Sequence, residues 1–384
     1  MNLSKFLEDK PLYYDEIDYE RMPKAYESIK KKLNLPKIIQ IIGTNGKGST
    51  GRFLAHMFQE QNFSVGHYTS PHIMKFNERI WLNGKDVRDI SLEKAHEKLQ
   101  TILPDEFIKS LSYFEYTTFL AIIVFENKCD YIVLEAGLGG EHDATSVFPK
   151  VFSIITPIGL DHQYFLGNNL SDIATTKLKS ITNKVLISQQ YDDIVKKIAK
   201  KICDEKNAQL FFCDDLLSLE DKKYIEKYSI NNYLPDFQKL NLTTAFCTML
   251  LLGFKPNILN LTTLSGRCQK ISTNITIDVG HNIMAATALL DTFRGKKITL
   301  VYNSFKDKDF KEILEILSPI IKSIEILNIE NQRGMATYEI KEFCKTNSIP
   351  VSDFLKIDCK KDYLVFGSFV VVEEFLKLMD KYAK

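Results

Sequence analysis

Residues 36 to 51, PKIIQIIGTNGKGSTG, put a glycine-rich turn between two regular elements. KIIQII, residues 37 to 42, is short and rich in β-branched residues, which predicts a buried strand, and GKGSTGRFLAHMFQEQ predicts the start of an amphipathic helix. A strand, a glycine turn and a helix N-terminus form an anion site. Glycines let backbone N–H groups close around phosphate oxygens, the helix N-terminus adds partial positive charge, and Lys47 adds a full one. Ser49 is then placed to reach a Mg²⁺ carried by a nucleotide. The common phosphate-loop pattern has Ser or Thr directly after the lysine, whereas Gly48 intervenes here. A glycine turn without ligand is the competing reading.

The rest of the chain repeats strand-then-helix alternation. Strands are expected at IIQIIG, SVGHYTS, DYIVLEAG, VFSIITPIG and KVLISQQ, and helices at SLEKAHEKLQTIL and YFEYTTFLAIIVFENK. A second series holds the strand patterns TNITIDVG, KKITLVYNS, SIEILNIE and DYLVFGS and the helix pattern FKEILEILSPIIK. The rhythm predicts an α/β fold of mainly parallel sheets with helices on both faces. At 384 residues, two domains are expected, an N-terminal P-loop-type domain over 1–262 and a smaller Rossmann-like α/β domain over 263–384.

Composition excludes several classes. Fifty basic and 49 acidic side chains give a net charge of +1, so neither nucleic acid nor a membrane surface is an expected partner. The start, MNLSKFLEDKPLYYDEIDYE, lacks the apolar core of a signal peptide, and apolar runs such as FLAIIVF are too short to span a bilayer. Seven scattered cysteines (129, 203, 213, 247, 268, 344, 359) without a CxxC pair fit reduced thiols. A cytoplasmic protein is expected.

In open α/β sheets ligands bind beyond the carboxyl ends of the strands. There the sequence places GTNGKGS after KIIQII, TSPH after SVGHY, EAGLGGEHDATS after DYIVL and PIGLDHQYFLG after VFSIIT. One edge thus collects Lys47, Ser49, Ser70, His72, Glu135, Asp143, Asp161 and His162. Singly, each acid or histidine reads as a hydrogen-bond anchor for its loop. Together they read as a Mg·ATP site, since hydroxyl and carboxylate oxygens suit the hard ion; the role of His162 stays open on pattern alone.

GTNGKGS, HYTSPHIMKFNERIWLNGK, YFEYTT, EAGLGGEHDAT, LDH, SGRCQ, IDVGHN and FGSF, spread from about residue 37 to 375, resemble in order and spacing the bacterial folylpolyglutamate synthase/dihydrofolate synthase family, a branch of the Mur ligase superfamily. The resemblance implies ATP-dependent amide formation between a pterin-bearing carboxylate, dihydropteroate or a reduced folate, and the amine of L-glutamate, through an acyl phosphate. It assigns Thr44, Asn45, Gly46, Lys47, Gly48 and Ser49 to ATP, with Asn241 near the adenine, Asp278 near the ribose, and Arg267 and His281 near the phosphates. Ser70 and Glu135 are implied ligands of a first Mg²⁺ and His162 of a second. Lys177 stands where the family has a lysine that is often carbamylated, a change that turns a cation into an anionic oxygen ligand. Lys47, His162 and Lys177 are the implied catalytic residues. The pterin falls to Ser70, Pro71, His72, Phe114 and Asp143, although Phe114 equally reads as helix packing.

Some positions depart from the family pattern. Thr176 replaces an acid, Lys179 and Ser180 a Gly-Ile pair, Glu141 an arginine, Ser146 an asparagine, and Val279 a small residue. A cell-wall ligase of the same superfamily needs a nucleotide-sugar domain before the loop, for which 42 residues are too few. A GTPase needs an NKxD motif, and NKVL at residues 183 to 186 lacks the acid. A non-catalytic nucleotide-binding module is expected to lose metal ligands that are present here. A bifunctional enzyme acting as a monomer is the expectation, with a single-activity synthase as its alternative.

Overall fold

The computed structural model describes residues 2–11, 18–259, 261–330 and 335–382. The chain forms two units, one of residues 1–233 and 238–262, the other of residues 234–237 and 263–384.

In the first unit, β1 (Lys37–Ile42), β2 (Val65–Tyr68), β3 (Ile80–Leu82), β4 (Lys85–Asp86), β5 (Tyr131–Glu135), β6 (Phe152–Ile155), β7 (Lys184–Ile187) and β8 (Gln209–Phe212) form one sheet in the order β4-β3-β2-β5-β1-β6-β7-β8. All neighbouring pairs from β2 to β8 are parallel, and the short β3 and β4 are antiparallel. Ile38, Ile39, Ile41 and Ile42 of the central β1 are buried, as continuous apolar strands covered on both faces require. From β1 the chain moves to β2, and from β6 to β7 on the other side. That reversal opens a crevice at the carboxyl end of β1.

The helix Lys47–Glu60 differs from the amphipathic expectation: from Gly48 to Phe58 all its residues but His56 are buried. One side lies on β1, β2 and β5, and the helix Asp236–Leu251 and the chain after it cover another, with Asn241 reaching Thr50 and Phe254 meeting Phe58 edge-on at 6.1 Å. The helix Tyr113–Phe125 is buried from Tyr116 onward. Its start is fixed by polar chemistry: Ser112 accepts from Glu115 N while Glu115 accepts from Ser112 N, and the Arg21 guanidinium makes a two-pronged pair with Glu115 at 2.9 and 3.1 Å.

In the second unit, β9 (Gln269–Ser272), β10 (Ile275–Ile277), β11 (Ile298–Tyr302), β12 (Ile321–Ile326), β13 (Val351–Asp353) and β14 (Tyr363–Phe366) follow the order β13-β12-β11-β14-β10-β9, with β9 antiparallel. Leu300, Ile324 and Leu364 bury against Leu289, Ile313, Leu314 and Leu317 of two covering helices. The run FKEILEILSPIIK divides: the helix stops at Leu317 and Ile321 already pairs with Ile298. Pro319 lacks an N–H and disfavours helical backbone before it, so the apolar period carries into a strand. No helix among the described residues is long and apolar enough to cross a membrane.

Because Ser112 closes the N-terminus of a buried helix, Ser112→Ala is expected to lower unfolding stability by about 1 kcal/mol, read from urea denaturation.

Candidate active site

The loop after β1 is held by the chain segment that follows β6. Thr44 N and Asn45 N donate to Pro157 O at 2.9 and 3.3 Å, and the Thr44 hydroxyl donates to Gly159 O at 3.1 Å. Gly46 takes a left-handed φ of 84° and caps the helix Lys47–Glu60, which has no side-chain cap. A methyl group on Gly46 would sit 2.3 Å from Asn241 Oδ1, so both conformation and space demand glycine there. The uncapped first turn, with Ser49 and Thr50 buried in it, leaves backbone donors facing the crevice.

Two lysines meet at this loop. Lys47 Nζ donates to Gly43 O at 3.2 Å and to Thr44 O at 3.1 Å, and Lys177 Nζ donates to the same Gly43 O at 3.0 Å. Lys177 is buried on the helix Leu170–Leu178, and burial, then the Lys47 charge, lower its amine to about 7 while Asp161 and Asp143 oppose the shift. Glu135, buried at the end of β5, lies 3.9 Å from Lys47 Nζ and accepts from the Thr69 hydroxyl and from Ser70 N at 3.2 Å. Ser70 joins Pro71 through a cis peptide. His162 begins a short helix with φ 51°; its Nε2 lies 3.9 Å from Asp161 Oδ1, which also accepts from His162 N at 2.9 Å. The carboxyl edge of the sheet therefore brings together Lys47, Ser70, Glu135 and Lys177, with Ser49 on the helix after β1 and His162 on the loop after β6.

The residues expected at the pterin divide. Phe114 packs on the backbone of Gly137, where a methyl would meet its ring at 2.6 Å, and lies 5.9 Å from Tyr68, near parallel. Asp143 faces its own loop: Oδ2 accepts from Gly137 N and Leu138 N at 2.8 and 2.9 Å, and Oδ1 from Thr145 N and its hydroxyl at 2.9 and 2.5 Å. Burial still raises its pKa. His72 Nδ1 accepts from Arg79 Nε at 2.7 Å, and burial, then Arg79, lower the imidazole to about 4, so it is neutral at pH 7.

In the second unit, buried Asp278 accepts from Gly280 N at 2.7 Å and Cys268 N at 2.8 Å, and burial raises its pKa. Arg267 stacks 4.9 Å over the Phe369 ring, and His281 Nδ1 lies 3.3 Å from Val279 O. These three share one end of that unit's sheet, beyond β10 and β14.

No family model matches the sequence. The dihydrofolate synthase/folylpolyglutamate synthase of Haemophilus influenzae is 30% identical over 420 residues, 92% of each chain. That of Buchnera aphidicola subsp. Acyrthosiphon pisum is 32% identical over 405 residues, 95% of this chain and 96% of its own. The chain belongs to the dihydrofolate synthase/folylpolyglutamate synthase family. As a member it is a ligase. Among solved structures, Helicobacter pylori folylpolyglutamate synthetase matches with 39% identity and a TM-score of 0.80 over 99% of this chain and 98% of its own. Escherichia coli FolC in complex with DHPP and ADP matches with 22% identity and a TM-score of 0.82, a likeness of fold.

Thr69, not among the residues expected from the sequence, also belongs to this site. Its hydroxyl holds Glu135, and its position next to Ser70 at a strand end was the available signal. Two ammonium groups on one carbonyl, beside an uncapped helix, fit a polyanion, and Glu135 with the Ser70 hydroxyl fits a hard divalent ion.

Lys177 gives a pH signature. The unfolded amine titrates near 10.5 and the folded one near 7, so the cost of burying the charge is fully present below pH 7 and is relieved as pH rises. Lys177→Met is expected to stabilise the metal-free protein by about 2–4 kcal/mol at pH 6.5 and by clearly less at pH 9. Urea denaturation at both pH values checks this; equal gains would contradict it.

Proposed function

We propose that this ligase spends ATP to join the amine of L-glutamate to a pterin-bearing carboxylate, acting both on dihydropteroate and on reduced folates. The observation that carries the reading is the convergence of Lys47 and Lys177 on Gly43 O beside the uncapped helix, with Glu135 3.9 Å from Lys47. Oxide is a poor leaving group, so the acceptor carboxylate must first take the γ-phosphoryl group. The acyl phosphate is then attacked by the glutamate amine, and phosphate leaves.

In this reading the loop from Thr44 to Ser49 cradles the phosphates, and Lys47 follows the transferring group with its charge. Ser70 and Glu135 would hold one Mg²⁺ and His162, with a carbamylated Lys177, a second, supplying charge neutralisation along the triphosphate. Carbamylation needs a neutral amine, and an amine brought to about 7 by burial supplies one at neutral pH. Asn241, which lies against Gly46 and Thr50, would meet the adenine. Phe114 and the loop shaped by Asp143 would take the pterin, with neutral His72 at its margin. Arg267, Asp278 and His281 keep the nucleotide roles that the family resemblance implies, and the second unit is assigned to glutamate ligation.

The protein is read as a cytoplasmic monomer. All seven cysteines are free thiols, in support of a reducing compartment.

The test is product mass after incubation with ATP, Mg²⁺ and L-glutamate, with 7,8-dihydropteroate or a reduced monoglutamyl folate as acceptor. Gain of one glutamate on both supports the bifunctional reading; gain on one restricts it to a single-activity synthase. Gain on neither, with ATP still bound, sinks the substrate assignment. Lys47→Ala and Glu135→Ala are each expected to lower turnover at least about 100-fold with unfolding unchanged, the size of loss seen when a preorganised charge is removed.

A further inference from the structure

Gln40 is a polar side chain in the middle of the central strand β1, and the proposed chemistry does not use it. It is fully buried, paired in register with Leu134 on one side and Ser153 on the other. Its side chain is nevertheless saturated. Oε1 accepts from the Nζ of Lys150, itself buried, and Nε2 donates to the Thr145 hydroxyl at 2.7 Å and to the Ser146 hydroxyl at 2.8 Å.

The two hydroxyls pass the pattern on. Thr145 Oγ1 donates to Asp143 Oδ1 at 2.5 Å, and Ser146 Oγ donates to Gly140 O at 2.5 Å. Asp143 holds the amides of Gly137 and Leu138, and so the backbone on which Phe114 rests. Gly140 lies flat on the backbone of Lys177, where a methyl would come 2.4 Å from Lys177 O, and the next residue, Glu141, donates its N–H to Thr176 O at 3.2 Å.

From Lys150 through Gln40 to the two hydroxyls, every donor points toward the loop. Lys150 has only protons to give, so the amide must turn its oxygen toward it and both N–H bonds toward the hydroxyls. Each hydroxyl, having accepted, has its own proton free for the loop. Lys150 thereby fixes the orientation of the Gln40 amide and its two donated bonds, while the Asp143 carboxylate and the Gly140 carbonyl, which can only accept, fix the hydroxyl protons from the other end, and a buried network of this kind is rigid only when every member is satisfied.

We propose that Gln40 and Lys150 are positioning residues for the substrate loop 137–146, with one branch through Thr145 setting the pterin side and one through Ser146 setting the seat of Lys177. This rests on the proposed function, which places the pterin and Lys177 at that loop. Gln40→Glu is the near-isosteric test. Ionised, it keeps the lysine contact but can only accept, so both hydroxyls must turn back to it and release Asp143 and Gly140.

The kinetics are measured with dihydropteroate or reduced monoglutamyl folate, whichever the wild type extends. Gln40→Glu is expected to raise the acceptor KM at least ten-fold with the ATP KM within two-fold of wild type. Thr145→Val, which cuts only the first branch, reproduces the rise in acceptor KM. Ser146→Ala, which cuts only the second, lowers kcat at least five-fold and leaves the acceptor KM within two-fold. Should Gln40→Glu fail to fold, the two single-branch variants decide. Acceptor and ATP KM rising together, or both single-branch variants matching wild type, overturns the positioning role. A wild type that extends neither acceptor overturns the proposed function instead.

Discussion

The Gly43 carbonyl is the point on which the first unit turns. It faces two ammonium groups, at 3.2 and 3.0 Å, at the mouth of a helix whose own partial charge is positive. The Gly43 carbonyl dipole and the carboxylates of Glu135, Asp161 and Asp143 oppose that positive charge without restoring the Lys177 amine to its ordinary value. The imbalance is visible in Lys177, whose amine is lowered first by burial and then by Lys47. A site built this way is completed by an anion with several oxygens. The fold holds the arrangement in place because Gly43 follows directly on the central strand and Lys177 sits on a helix packed into the core.

The parallel sheet explains why so many polar groups can gather there. Strands buried on both faces carry almost no polar side chains along their length, so hydroxyls, carboxylates and imidazoles concentrate where the strands end. Thr69, Ser70, Glu135, Asp161 and His162 all follow or close strands β2, β5 and β6. Gln40 breaks that rule and is tolerated because each of its hydrogen-bonding atoms is paired.

Much of this was legible in the sequence, for identifiable reasons. The long parallel strands and the glycine loop carry strong local signals, apolar runs and turn residues, and they stand where they were expected. The two-residue β4 and the polar β9, QKIS, carry too little apolar pattern to be read as strands. FKEILEILSPIIK looked helical throughout because Ile320 and Ile321 continue the apolar period beyond Pro319. The site was read by residue type and not by direction. Asp143 belongs to the expected loop, yet its oxygens are turned inward, which only the coordinates of Gly137, Leu138 and Thr145 reveal. Lys150 looked like any other lysine, since nothing local marks a cation whose partner lies 110 positions away.

Four of the six departures from the family pattern, Glu141, Thr176, Lys179 and Ser180, gather around the end of the helix Leu170–Leu178. Glu141, where an arginine is common, lies 3.4 Å from Lys179, where the family has no charge, and its N–H meets the carbonyl of Thr176. Ser180 closes the same turn by donating to Lys177 O at 2.6 Å. The reversal of charge at 141 is thus answered by a new cation two positions after Lys177. Both side chains are well exposed, so the pair itself adds little stability. Its effect is on charge: Glu141 stands beside a cation and not as an isolated carboxylate.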